Sequence, residues 1–324
     1  MKKENRKSFL CGLIGICMLC VTAVMFSGCG TQNGRHFSED DKLKIVTTIY
    51  PVQNFTEKIA GDKAEIINLV PAGIEPHDFE LSTGDMQLIE EADVFIYNGA
   101  GMEHFVDKTL NSVSNKKLVS VEASEDVKLI EAEHSHEDED SDEEGASHED
   151  EKYDPHTWLS IENAIAETER IKETLCEVDP DNAQYYSDNF ESYKKDLQAL
   201  KEKYSKELSG LSGDTIVVAH EAFGYLCKEY GLKQEAVEGL NAESEPDSAR
   251  MKEIIDFCKA NDIRVIFFEE LVSPKVAKAI ADEVGAVTEV LNPIEGRTVS
   301  QEEEGLDYIG FMEQNLEALK KALK

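Results

Sequence analysis

A single long amphipathic stretch divides this chain, and strand–helix alternation lies on both sides of it. From Asp179-Pro180 to about Leu208 the apolar residues Tyr186, Phe190, Tyr193, Leu197, Leu200 and Tyr204 recur at steps of four and three. That spacing keeps them on one face of one helix. About 28 residues at 1.5 Å rise reach roughly 40 Å, more than the helices of one small lobe need. A coiled-coil segment is the competing reading, but the repeat covers too few heptads for it. The stretch is therefore expected to be a stiff strut between two bodies.

Before the strut, residues 43–50 and 64–70 read as strands, 86–92 as a short helix, 93–99 as a strand running into a turn, and 118–121 as another strand. Residues 160–177 read as a helix leading to the strut. After it come a strand at 215–219, a helix at 221–230 stopped by Gly231 and a helix at 246–260. A nearly all-apolar strand at 263–268, a helix at 274–284 stopped by Gly285 and a last helix at 306–323 complete the chain. Short apolar strands separated by helices imply parallel sheets covered by helices. The expected fold is α/β, with two lobes, each a mainly parallel sheet flanked by helices, joined by one long rigid helix. The expected boundaries are 42–178 for the N-terminal lobe, 179–209 for the linking helix and 210–324 for the C-terminal lobe. The halves share an architecture but no sequence repeat.

The N-terminus sets the compartment. Lys2, Lys3, Arg6 and Lys7 precede an uncharged run over 8–28 that ends in Phe26-Ser27-Gly28-Cys29. A basic start, an apolar middle and small residues before a cut make a secretory signal. Ser27-Gly28-Cys29 resembles a bacterial lipobox, in which the cysteine is lipidated and becomes the new first residue; Phe26 stands where a leucine-like residue is usual. An uncleaved membrane helix is the alternative, because the run is near the ~20 residues that span a bilayer. Either way the rest of the chain lies outside the cytoplasm, anchored to the cell membrane. Polar residues 29–41 read as a flexible tether.

Cleavage before Cys29 removes four of the 33 Lys and Arg and one of the 67 Asp and Glu, leaving a net charge of −37. Such a charge argues against nucleic acid as a partner and suits cationic ligands and solubility at a cell surface. Cys176, Cys227 and Cys258 remain outside the leader. An odd number on helical stretches is no disulfide framework, and they are expected to be small buried apolar residues.

Two motifs repeat one chemical idea. Glu75-Pro76-His77-Asp78 and Asp154-Pro155-His156-Thr157 each set a histidine behind a proline and an acid. The proline fixes φ and favours a turn that can hold the imidazole rigidly. His220 ends the buried strand run that starts at Thr215. Three histidines at element ends, far apart in sequence, suit a metal site built between lobes, and imidazole selects transition metals, zinc first among them. Residues 131–151 hold twelve acids, no base, and His134, His136 and His148. This segment cannot bury enough apolar surface to fold alone. It reads either as a solvated acidic loop or as a secondary, low-affinity metal collector. His36 and His104 sit in no motif and are expected to be structural or surface residues.

Four segments carry a family resemblance: Glu75-Pro76-His77; Asp154-Pro155-His156-Thr157-Trp158-Leu159; Ala219-His220-Glu221-Ala222-Phe223-Gly224-Tyr225; and Leu291-Asn292-Pro293-Ile294-Glu295-Gly296. They resemble, in order, the signatures of zinc-binding lipoproteins of bacterial ABC metal importers, the metal-binding cluster of periplasmic-type binding proteins. The resemblance runs from the lipobox to the C-terminal helix. It implies capture of Zn2+, as transported ligand, in the cleft between two lobes. It also implies delivery to a membrane permease driven by a cytoplasmic ATPase, by a protein expected to be a monomer. Carried over residue by residue, it implies His77 and His156 from the N-terminal lobe, His220 from the C-terminal lobe, and Glu295 as fourth ligand. Glu269, Glu270 or a water are the other candidates for that fourth place. The manganese-binding branch of the family has a carboxylate where this chain has His220, and manganese prefers harder oxygen ligands.

A secreted zinc hydrolase is the function of another class. His220-Glu221 opens like a metalloprotease helix, but no second histidine follows at the spacing required. A catalytic zinc keeps one position open, and four protein ligands would close it. The expectation is a binding protein without catalysis; an adhesive surface role stands beside it untested.

Overall fold

The computed structural model describes residues 35–38, 40–132, 152–240 and 246–324. Cys29 and the histidines His134, His136 and His148 lie outside the described residues. Phe37–Lys324 forms one compact unit. Among the described residues no helix is long and apolar enough to cross a membrane.

Strands β1 (Leu43–Thr47), β2 (Ala64–Asn68), β3 (Val94–Tyr97) and β4 (Val119–Glu122) form a parallel sheet in the order β2-β1-β3-β4. Ile45 pairs with Ile66 on one side and Val94 on the other. Parallel neighbours need crossovers, here supplied by α1 (Tyr50–Ala60), α2 (Thr83–Glu91) and α3 (Val106–Ser112). Residues 43–50, one strand by sequence, divide: β1 stops at Thr47 and α1 opens at Tyr50. Pro51 in its first turn loses no intrahelical bond there. Ser82 caps α2 by accepting from the Asp85 backbone, and Asp85 returns the bond to the Ser82 N–H.

Helix α4 (Ile161–Val178) then leads through a 3-10 turn to α5 (Ala183–Leu208). The six residues that define its apolar stripe are all buried, so the four-and-three spacing is the contact face. Its 26 residues run about 39 Å. The second sheet follows, from β5 (Thr215–Val218), β6 (Lys233–Ala236), β7 (Val265–Phe268) and β8 (Val287–Val290) in the order β6-β5-β7-β8, again parallel. Its crossovers are α6 (Gly224–Tyr230), α7 (Ser248–Ala260) and α8 (Lys275–Val284). Edge strand β6 escapes sequence reading because Lys233-Gln234-Glu235-Ala236 has no apolar run to announce it.

After β8 the chain leaves the second sheet. It passes α9 (Val299–Glu304) and ends in α10 (Tyr308–Ala322). Helix α10 packs on α1 and α5: the Phe55 and Tyr308 rings lie 4.9 Å apart edge to face, Tyr50 and Phe311 lie 5.8 Å apart, and the Tyr204 hydroxyl donates to the Met312 carbonyl. Each large side chain fully buried here contributes roughly 1.5–3 kcal/mol. These residues join the core of the first sheet, while Val217, Ile254, Ile266 and Ile280 form a separate core on the second.

Candidate metal centre

In parallel α/β sheets the loops at the carboxyl ends of strands gather on one side, which is where ligands bind. Three side chains arrive this way. His77 lies in the loop after β2, His220 follows β5 and Glu295 follows β8. His156 comes instead from the approach to α4, just before the 3-10 turn Thr157–Leu159. The proline motifs act as local braces. The Phe79 N–H donates to the Pro76 carbonyl and the Thr157 N–H to the Pro155 carbonyl, closing a turn around each histidine. The acid two residues ahead accepts the histidine's own N–H: Glu75 Oε1 from His77 at 3.3 Å, Asp154 Oδ1 from His156 at 3.0 Å.

The four side chains converge, one ligand atom from each, all within 4.8 Å of one another. His156 Nε2 lies 3.3 Å from His77 Nε2 and 3.2 Å from His220 Nε2. Glu295 Oε1 lies 3.0 Å from His156 Nε2 and 3.5 Å from His220 Nε2, and Oε2 lies 3.5 Å from His77 Nε2. Four donors set tetrahedrally about 2.0–2.1 Å from a zinc ion stand about 3.3 Å apart. The five distances above, with Glu295 offering Oε1 to His156 and His220 and Oε2 to His77, bracket that value.

Proton bookkeeping supports the same arrangement. His156 Nδ1 is 2.8 Å from Asp154 Oδ1, and His220 Nδ1 bonds Glu269 Oε1. A carboxylate can only accept, so each Nδ1 carries a hydrogen and each Nε2, the atom that must give up its proton to bind a metal, faces inward. Carboxylates behind metal-binding imidazoles fix tautomer and ring orientation in this way. His156, His220 and Glu295 are essentially fully buried. Both Glu295 oxygens lack a hydroxyl, amide or backbone N–H donor. Buried charge without such partners is costly, so this carboxylate answers to whatever cation fills the centre.

Charge in the cluster follows. Burial alone would raise Glu295, but the His77 and His156 imidazoles outweigh it and hold the carboxyl well below the usual range. Burial would lower His156, yet Asp154 and Glu295 push it up to about 10. His220 is raised too, burial being outweighed by Glu269 and then Glu295. Glu75, beside Glu295, is pushed up to about 9 by burial and by that neighbour's charge. Without a metal, the cluster keeps a proton where the cation belongs.

Of the alternatives for the fourth position, Glu269 stands behind the His220 ring, and Glu270 Oε2 accepts from Asn292 Nδ2 at 2.8 Å and from Gln301 Nε2. Neither joins the cluster. His104 packs against the Phe105 ring and stays outside it as well. Sequence reading missed the bracing roles of Asp154 and Glu269. The repeated acid before Pro-His was a usable signal for the first; nothing local marked the second.

The two halves meet closely around these residues. A side chain on Gly224 would stand 2.6 Å from Asp154 Oδ2, so this glycine is required by close approach rather than by a turn. The Tyr225 hydroxyl donates to the Asp154 carbonyl at 2.9 Å and accepts from the Ile130 N–H at 3.0 Å.

The chain matches the protein family described as zinc-uptake complex component A, periplasmic, over residues 45–322. It is 39% identical over 312 residues to the high-affinity zinc uptake system protein ZnuA of Bacillus subtilis, covering 95% of this chain and 97% of that one. It is 39% identical over 309 residues to the zinc-binding lipoprotein AdcA of Streptococcus pneumoniae, of whose length it spans 60%. The crystal structure of the Zn(II)-bound ZnuA-like domain of that AdcA superposes with a TM-score of 0.74 at 38% identity, covering 87% of this chain and 99% of the domain. A match over most of the chain, relatives at this identity and a shared two-lobe fold agree, and the chain belongs to the zinc-uptake complex component A family of ABC-importer solute-binding proteins.

Proposed function

We propose that this protein captures Zn2+ outside the cytoplasm through His77, His156, His220 and Glu295 and hands it to the permease of an ATP-driven importer. One observation carries the reading: three inward Nε2 atoms and one buried carboxylate stand at the mutual spacing of a zinc tetrahedron. Manganese is the weaker candidate, because it favours six mostly oxygen ligands and three of these four donors are imidazoles. The family is one of solute-binding proteins rather than enzymes. With four protein ligands no position is left for an activated water, so the site holds its cargo without turning it over. Residues 42–178 and 210–324 serve as the two lobes and 179–209 as the helix between them. Cys29 carries the lipid that anchors the mature monomer to the membrane, with 29–41 as tether. His134, His136 and His148 form a weak secondary site on the acidic segment.

Elemental analysis of the purified mature chain, followed by zinc titration against a competing chelator, tests this. One tightly held zinc per chain is expected, held orders of magnitude more weakly in His220→Ala. Unchanged affinity in that variant removes the assignment.

A further inference from the structure

The segment that delivers Glu295 belongs by sequence to the second sheet, yet its backbone is fixed to the first half of the molecule. The backbone N–H groups up to Ile294 find their acceptors in the C-terminal part of the chain. The Leu291 N–H donates to the Phe268 carbonyl, the Asn292 N–H to Asn315 Oδ1 at 2.8 Å, and the Ile294 N–H to Asn292 Oδ1 at 2.7 Å. Ile294 then adopts φ +63, a left-handed conformation that a β-branched residue takes only under surrounding constraint. On both sides of that bend the carbonyls turn the other way. Alternate carbonyls take donors from the first half: Pro293 from Trp158 Nε1 at 2.7 Å, Glu295 from the Tyr50 N–H at 3.1 Å, and Arg297 from the Gly73 N–H at 2.7 Å. The Arg297 guanidinium caps this strap, 4.3 Å above the Tyr50 ring.

We propose that Trp158 is a positioning residue for metal capture: its indole N–H, with the Tyr50 and Gly73 amides, straps the Glu295 segment to the half that carries His77 and His156. Glu295 is then set by the first half and only His220 by the second sheet. Trp158 is fully buried, and its own carbonyl accepts from the Tyr308 hydroxyl at 2.6 Å, so the residue is held at both its backbone and its indole. This rests on the four-ligand reading above. It adds that a residue which touches no metal decides where the fourth ligand stands.

The test is a double-mutant cycle on zinc affinity, read by chelator competition. Trp158→Phe removes the N–H donor and keeps a ring. It should weaken zinc about tenfold, as loss of one buried hydrogen bond does. In a Glu295→Gln background the same change should cost less than about twofold, because the group it positions is already impaired. In a His220→Ala background it should cost its full amount. An equal cost in all three backgrounds, or none, overturns the proposal. If Glu295→Gln and His220→Ala leave affinity untouched, the ligand assignment fails instead, which is a separate result. Should Trp158→Phe fail to fold, amide exchange on the unmodified protein decides. The Tyr50 and Gly73 amides should be protected equally with and without zinc, and acceleration on zinc removal overturns the strap.

Discussion

Zinc binding should expel a proton, and the geometry says from where. In the zinc-free protein His156 is pushed up to about 10, against an ordinary 6.5. Its Nδ1 hydrogen is committed to Asp154, so the titrating proton sits on Nε2, directed at Glu295 Oε1 3.0 Å away. Zinc needs that lone pair. His220 is raised as well, but its Nε2 lies 3.2 Å from the Nε2 of His156, so a second proton there would face the first. At least one proton leaves. Each proton displaced makes affinity change about tenfold, or about 1.4 kcal/mol, per pH unit. Affinity should rise about a hundredfold from pH 7 to pH 9, level off above about 10, and fall further as pH drops below neutrality. Titration calorimetry in buffers of different ionisation enthalpy counts the proton directly. The same shift works on folding without zinc: the stabilisation from protonated His156 is fully present below 6.5 and lost as pH rises through about 10. Zero proton release at pH 7.5, with affinity flat between pH 7 and 9, would refute the reasoning.

Alanine at His77, His156 or His220 should weaken zinc by orders of magnitude, and Glu295→Ala by less because water can take its place; chelator competition ranks them, and a costlier Glu295→Ala would break the order. Asp154→Asn and Glu269→Gln should each lower zinc affinity about 10–100-fold through loss of ring orientation, and without zinc each should also lower the melting temperature near neutral pH, where the carboxylate stabilises a protonated imidazole. Glu167 is fully buried, and burial, only partly offset by the nearby Thr157 hydroxyl, pushes it up to about 8. Because that pKa is raised, its ionisation costs stability as pH climbs from the ordinary 4.5 through about 8. Glu167→Gln should therefore raise the melting temperature more at pH 9 than at pH 6, and equal shifts at both would count against it. Deleting 133–150 should remove weak zinc equivalents and slow capture at low salt, where a negative field concentrates cations; stopped-flow uptake and stoichiometry check this, and loss of the tight site would move a primary ligand into the segment.

Much of the architecture was legible because its signals are periodic. The stripe from Tyr186 to Tyr204 names a helix and its buried face. Short apolar runs such as 265–268 name strands. What stayed hidden depends on partners distant in sequence. Lys233-Gln234-Glu235-Ala236 becomes a strand because β5 offers an edge, not because of its own composition. His77, His156, His220 and Glu295 were visible through motif and resemblance, and the geometry brings all four together. Glu269 was visible only as a rival ligand; its place behind His220 depends on β7 lying beside β5. The left-handed Ile294 and the Trp158 contact to Pro293 left no local trace, since each exists only once the two halves meet.

The return of the chain onto α1 and α5 after β8 has a mechanical consequence. Bodies linked by one covalent crossing can swing and twist freely, limited only by their surfaces. Here the backbone passes between the sheets twice, once along α5 and again where Ile294 turns. Two crossings restrain relative motion more than one does, since any remaining rotation must respect both. His220 thus has fewer ways to shift against His77, His156 and Glu295 than a single link would allow, and correspondingly less orientational entropy to lose when a cation binds.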